Sequence, residues 1–102
     1  MNNMFAYNQS LKKINLKSFN TKNVEDMSSM FSGCSSLEEL DLSNFNTKNV
    51  ETMYALFYGC TSLKNLKIFK ISKKTNVDEM FEDCDALKES DKLLKMNSCI
   101  CI

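Results

Sequence analysis

Apolar residues in this chain recur with two alternating periods. In residues 37–43, Leu40 and Leu42 fall on one side of an extended segment and Glu39, Asp41 and Ser43 on the other. That alternation is the signature of a short strand with one face buried. A few residues later the period changes. Val50, Met53, Leu56 and Phe57 are spaced i, i+3, i+6 and i+7, which reads as the apolar stripe of a helix. Short parallel strands are therefore expected near residues 13–16, 39–42 and 65–68, and helical turns near 24–32, 50–58 and 76–82.

The double pattern repeats. Residues 36–61 overlay residues 10–35 at a shift of 26: Leu37 on Leu11, Leu42 on Leu16, Phe45 on Phe19, Met53 on Met27, Phe57 on Phe31 and Cys60 on Cys34. A third copy begins at Leu63, loses two residues, and resumes through Val77, Met80, Phe81, Cys84 and Leu87. Met4 and Phe5 stand where Met30 and Phe31 stand later. The array thus covers residues 4–87, as a half unit (4–9) and three units (10–35, 36–61, 62–87), with 88–102 left as a C-terminal cap or tail. Asn23, Asn49 and Asn76 precede the helical stripe as candidate N-caps, and Asn76 with Glu79 has the spacing of a capping box. Gly33 and Gly59 stand where helices commonly end in a left-handed residue, and Asp83 replaces them in the third unit. One strand and one short helix cannot close a core alone, so neighbouring units must cover each other. The expected fold is an α/β repeat, a leucine-rich-repeat-like solenoid with short parallel strands on one face and short helices on the other.

The runs LEELDLSNFNTKNVETM and VEDMSSMFSGCSSL resemble the 26-residue repeat of BspA-like leucine-rich repeat surface proteins of bacteria, and the resemblance covers residues 4–87. It implies a non-enzymatic interaction module, a segment of a cell-surface or secreted adhesion and recognition protein that binds protein or glycan. The first residues, MNNMFAYNQSLKK, lack the apolar core of a signal peptide. That leaves an intracellular repeat protein, a fragment or a gene remnant as one alternative to the surface reading. A purely structural spacer is the other.

Composition narrows the chemistry. There are 13 Lys balanced by 13 acidic residues, and neither Arg nor His. A nucleic-acid partner would call for a basic surplus and Arg for bidentate phosphate contacts. Without His the usual general base and the commonest metal ligand are missing, so neither catalysis nor a cofactor is expected. No run of about 20 apolar residues predicts membrane insertion. Pro is absent and Gly occurs twice, so turns must come from Asn, Ser, Thr and Asp.

Cys34, Cys60 and Cys84 share one repeat position. They read as small buried fillers in a row, with a disulfide between adjacent units as the competing reading. Cys99 and Cys101 fit an edge strand or tail better than a lipid-modified or redox pair. The acidic residues of 78–91 lack the central Gly and alternating oxygens of a calcium loop and read as a solvated face.

The outward strand positions are the candidate partner-binding surface: Lys13, Asn15 and Lys17, then Glu39, Asp41 and Ser43, then Asn65, Lys67 and Phe69, with Tyr54 as a further exposed aromatic. Charges alternate along the columns Lys12, Glu38, Lys64 and Asn15, Asp41, Lys67. Opposite charges across a ladder also stabilise a sheet, so the pattern serves packing, recognition or both. At the ends, Met4, Phe5 and Tyr7 are expected to meet solvent, which predicts self-association through uncapped faces.

Overall fold

A computed structural model of the chain describes residues 2–67 and 74–87. Two strands form among them, β1 (Glu39–Asp41) and β2 (Asn65–Lys67). They pair in parallel with Glu39 opposite Asn65, Leu40 opposite Leu66 and Asp41 opposite Lys67. The 26-residue shift read from the sequence is thus the physical spacing between paired residues. The alternation also holds, because Leu40 and Leu66 are buried while Glu39, Asn65 and Lys67 are exposed.

The expectation for the first unit is not met. Residues 13–16 form no strand, and the second unit reaches this stretch through the N–H of Glu38 donating to the carbonyl of Lys12 at 3.1 Å. No further backbone bond joins residues 13–16 to the second unit, and the carbonyl of Leu16 accepts the N–H of Phe19 and the Asn44 amide instead, so the ladder does not extend over this segment.

The larger correction concerns helices. The described residues contain none, and the fold is not the α/β solenoid that the apolar stripe suggested. Residues 27–34 instead form consecutive β-turns, closed by N–H to carbonyl bonds from Met30 to Met27, Ser32 to Ser29 and Cys34 to Phe31. Ser29 and Gly33 sit at φ +57° and +74°, the left-handed third position that a type II turn requires. The second unit repeats this with Ala55 (φ +53°) and Gly59 (φ +74°), and the third with Glu79 (+56°) and Asp83 (+59°).

The physical reason lies in where the other N–H groups go. Those of Met27, Ser29, Phe31 and Gly33 donate to the carbonyls of Thr52, Tyr54, Leu56 and Tyr58 in the next unit, at 2.6–3.0 Å. Met53, Ala55, Phe57 and Gly59 do the same to Asn76, Asp78, Met80 and Glu82. A helix would spend these donors on its own carbonyls. A turn of three-residue span gives the same i, i+3 apolar spacing while leaving every second donor for the neighbour. Ser28, Ser29 and Ser32, which compete with helix through their own side chains, favour this outcome.

A second parallel ladder opens each turn run, pairing Asp26 with Thr52 and Thr52 with Asn76. The two-residue loss in unit three therefore falls before Asn76, and Val77 takes the place of Met27 and Met53. Asp26, Thr52 and Asn76 each accept the N–H two residues on with a side-chain oxygen, at 2.8, 3.2 and 2.9 Å. Asn76 thus caps a turn rather than a helix. Asn49 donates across to the carbonyl of Lys22 at 2.8 Å.

The core runs through the stack as columns of like residues. Phe5, Phe31, Phe57 and Phe81 stack with centroids 5.5, 6.0 and 5.6 Å apart and planes within 13° of parallel. Beside them Cys34, Cys60 and Cys84 are reduced thiols with no exposed surface. Each points its Sγ at the carbonyl of the preceding unit's Phe, at 3.0–3.1 Å. Burial raises the Cys34 and Cys60 thiols above their ordinary range. At the N-terminal end Met4 and Tyr7 are exposed as expected, whereas Phe5 is half-buried against Phe31.

Candidate functional site

The strand side collects most of the anticipated residues. Lys13, Asn15, Lys17, Glu39, Ser43, Asn65 and Lys67 are exposed and Asp41 is half-buried. Phe69, Cys99 and Cys101 lie outside the described residues. β1 and β2 set the spacing, since parallel register places Asp41 beside Lys67 and Glu39 beside Asn65. Lys13 Nζ lies 3.4 Å from Glu39 Oε2, the one ion pair among the described residues. Both groups are well exposed, so this contact contributes at most about 1 kcal/mol.

Asp41 is the most constrained group on this face. Its Oδ1 accepts the N–H and the hydroxyl of Ser43, at 3.0 and 2.6 Å. Those bonds, with smaller help from Lys67 and Lys17, hold its carboxyl below the usual range. The carboxylate is therefore charged and fixed in direction, with remaining acceptor capacity turned to solvent. Asn15 accepts the N–H of Lys17 in the same way at 3.0 Å, and Asn44 ties the units together by donating to the carbonyl of Leu16 at 3.2 Å.

An open groove of about 600 Å³ runs along these strands. Its rim carries Lys13, Glu39, Asp41, Lys64, Asn65 and Lys67, over a floor of Ile14, Leu40, Leu66 and Leu87. Such a surface offers ammonium donors and carboxylate acceptors at intervals set by the ladder. Among the described residues no group of three or more His, Cys, Asp or Glu converges as a metal site.

Sequence reasoning missed a second groove of similar volume on the flank, where Glu25, Glu51, Lys48, Asn49, Lys74 and Thr75 meet. Its signal was present in the recurring K-N-V-E of residues 22–25 and 48–51, which were read as helix starts. Tyr54 is exposed, as expected, but on the turn side, where its hydroxyl donates to Glu79 Oε2. That bond raises the phenol pKa and places Tyr54 apart from the strand groove. Among the described residues no helix is long and apolar enough to cross a membrane.

Residues 1–93 match the family described as "Mycoplasma protein of unknown function, DUF285". No curated protein and no solved structure matches the chain.

Proposed function

The chain belongs to that DUF285 family of Mycoplasma proteins, and we propose that it is a non-enzymatic interaction module whose strand face binds protein or glycan. The observation that carries this reading is the in-register display of Glu39, Asp41, Asn65 and Lys67 along one open groove. Exposed groups of both signs, spaced by a rigid ladder, suit a polar interface of modest size. The resemblance of the repeat to BspA-like surface proteins supplies the rest of the proposal, namely recognition or adhesion at a cell surface. Neither a cofactor nor nucleic acid has a place in it.

The test is a binding screen against immobilised host glycans and extracellular-matrix proteins. Asp41→Ala with Lys67→Ala is compared with the unaltered chain, and folding is checked separately. Loss of captured ligands by the folded variant is expected. If the screen finds ligands that the variant binds equally well, the strand face is not the site. If the chain captures nothing, the spacer reading replaces this one, with the charge columns serving only to hold the units together.

A further inference from the structure

We propose that the chain associates head to tail with copies of itself, by continuing its internal turn ladder from the third unit of one molecule onto the half unit of the next. Inside the molecule each unit donates from its Phe N–H to the residue before the next unit's Phe. Phe5 donates to Met30, Phe31 to Leu56 and Phe57 to Met80, at 2.9–3.0 Å. The residue two further on does the same: Tyr7 to Ser32, Gly33 to Tyr58 and Gly59 to Glu82, at 2.6–2.9 Å. The series stops at unit three. Among the described residues the N–H groups of Glu79, Phe81 and Asp83 meet no hydrogen-bond partner. At the other end the carbonyls of Met4 and Ala6 likewise accept no backbone N–H among the described residues.

These two edges are halves of one ladder. By the repeat register, Phe81 would donate to Met4 of a second copy and Asp83 to Ala6. The ring of Phe81, half-buried and stacked on one side only, would gain Phe5 of that copy as the next member of its column. Both edges already have the required backbone shape, because Asn3 and Tyr7 hold the same left-handed φ (58° and 60°) as Glu79 and Asp83. An edge that presents aligned unpaired groups is a template for pairing. Here its complement lies on the same molecule, so the contact is heterologous and does not close on a dimer. Electrostatics permits it: the third unit's edge is acidic, with Glu79, Glu82 and Asp83, while residues 2–9 carry no charged side chain.

Sedimentation across the micromolar to millimolar range should show average mass rising with concentration and passing beyond that of a dimer. Ala6 holds the repeat position of Tyr58 and Glu82, so Ala6→Glu would set a carboxylate beside Glu82 of the neighbouring copy. That change should abolish association, and adding Glu82→Lys should restore it. Hydrogen exchange of the unaltered chain gives a readout independent of folding defects in the variants. The Phe81 and Asp83 amides should gain protection as concentration rises, while that of Phe57 stays constant. A chain that remains monomeric throughout, a closed dimer, or association indifferent to Ala6→Glu would each overturn the proposal.

Discussion

The phenylalanine column makes a quantitative claim, because its members differ in how many rings they touch. Phe57 is fully buried between Phe31 at 6.0 Å and Phe81 at 5.6 Å. Phe81 is half-buried and meets Phe57 alone. Leu in place of Phe keeps apolar bulk and changes shape, at a cost of about 1 kcal/mol. Each stacked pair lost removes a further 0.5–1.5 kcal/mol or so. Phe57→Leu should therefore cost about 2–4 kcal/mol, and Phe81→Leu about 1.5–2.5 kcal/mol.

Urea unfolding followed by circular dichroism measures both. With a slope of about 1–1.5 kcal/mol per molar, Phe57→Leu should lower the midpoint by roughly 2 M. The double substitution adds a sharper criterion. The pair between Phe57 and Phe81 can be lost only once, so the combined cost should fall short of the sum by about 0.5–1.5 kcal/mol. Equal losses at the two positions with strict additivity would refute the column as an energetic unit. The rings would then be independent fillers that happen to align.

Other outcomes follow from the same geometry. Gly59→Ala should cost about 1 kcal/mol from its φ of +74° alone, because a Cβ there meets nothing closer than 3.6 Å. Gly33→Ala should cost more, since its Cβ would fall 2.5 Å from the Tyr7 ring, and Asp83→Gly should stabilise by about 0.5 kcal/mol; thermal melts rank all three. Cys60 carries a thiol raised from an ordinary 9.0, so the unfolded chain loses that proton first and stability should fall as pH climbs past about 8.5–9. Asp26 and Asp41 are lowered from 3.8 by their serine partners, so stability should also fall as pH drops through that value; urea midpoints across pH test both arms. Far-UV circular dichroism should lack the helical double minimum, and its presence would contradict the turn runs.

How far the sequence could be read follows from which signals are physical and which are shared between structures. Repeat length and the placement of β1 and β2, though not the strand expected at 13–16, were legible because leucines alternate with polar residues, and only an extended segment buries Leu40 while turning its neighbours outward. The same alternation put Asp41 and Lys67 at outward positions, and the ladder sets them side by side. Spacing by three is not exclusive in this way. Met27, Met30 and Phe31 line up on a helix and equally on consecutive turns. The deciding evidence sat at Ser29 and Ala55, whose positive φ no residue type announces. In unit three the ladder aligns Asn76 with Thr52, and so Val77 with Met53, the shift of 24 that a two-residue loss gives; what fails is Asn76 as a helix cap, because its side-chain oxygen closes a turn.

Backbone accounting explains why tandem turns win over helices in units this short. A helix of about nine residues leaves four N–H groups orphaned at its start and four carbonyls at its end, nearly half its backbone. Alone it would be marginal in water. The turn run closes Met30, Ser32 and Cys34 within the unit and sends Met27, Ser29, Phe31 and Gly33 to the next. None of those donors is left over. The cost is the left-handed φ at Ser29, set against four inter-unit bonds at each of the two junctions between whole units, so stacking prevails wherever a following unit exists. The balance changes at the third unit, whose outward donors meet no acceptor among the described residues. That the N–H groups of Glu79, Phe81 and Asp83 find no partner among the described residues follows from the device that stabilises the interior junctions. Stability inside the stack and the association proposed for its end therefore rest on one physical device.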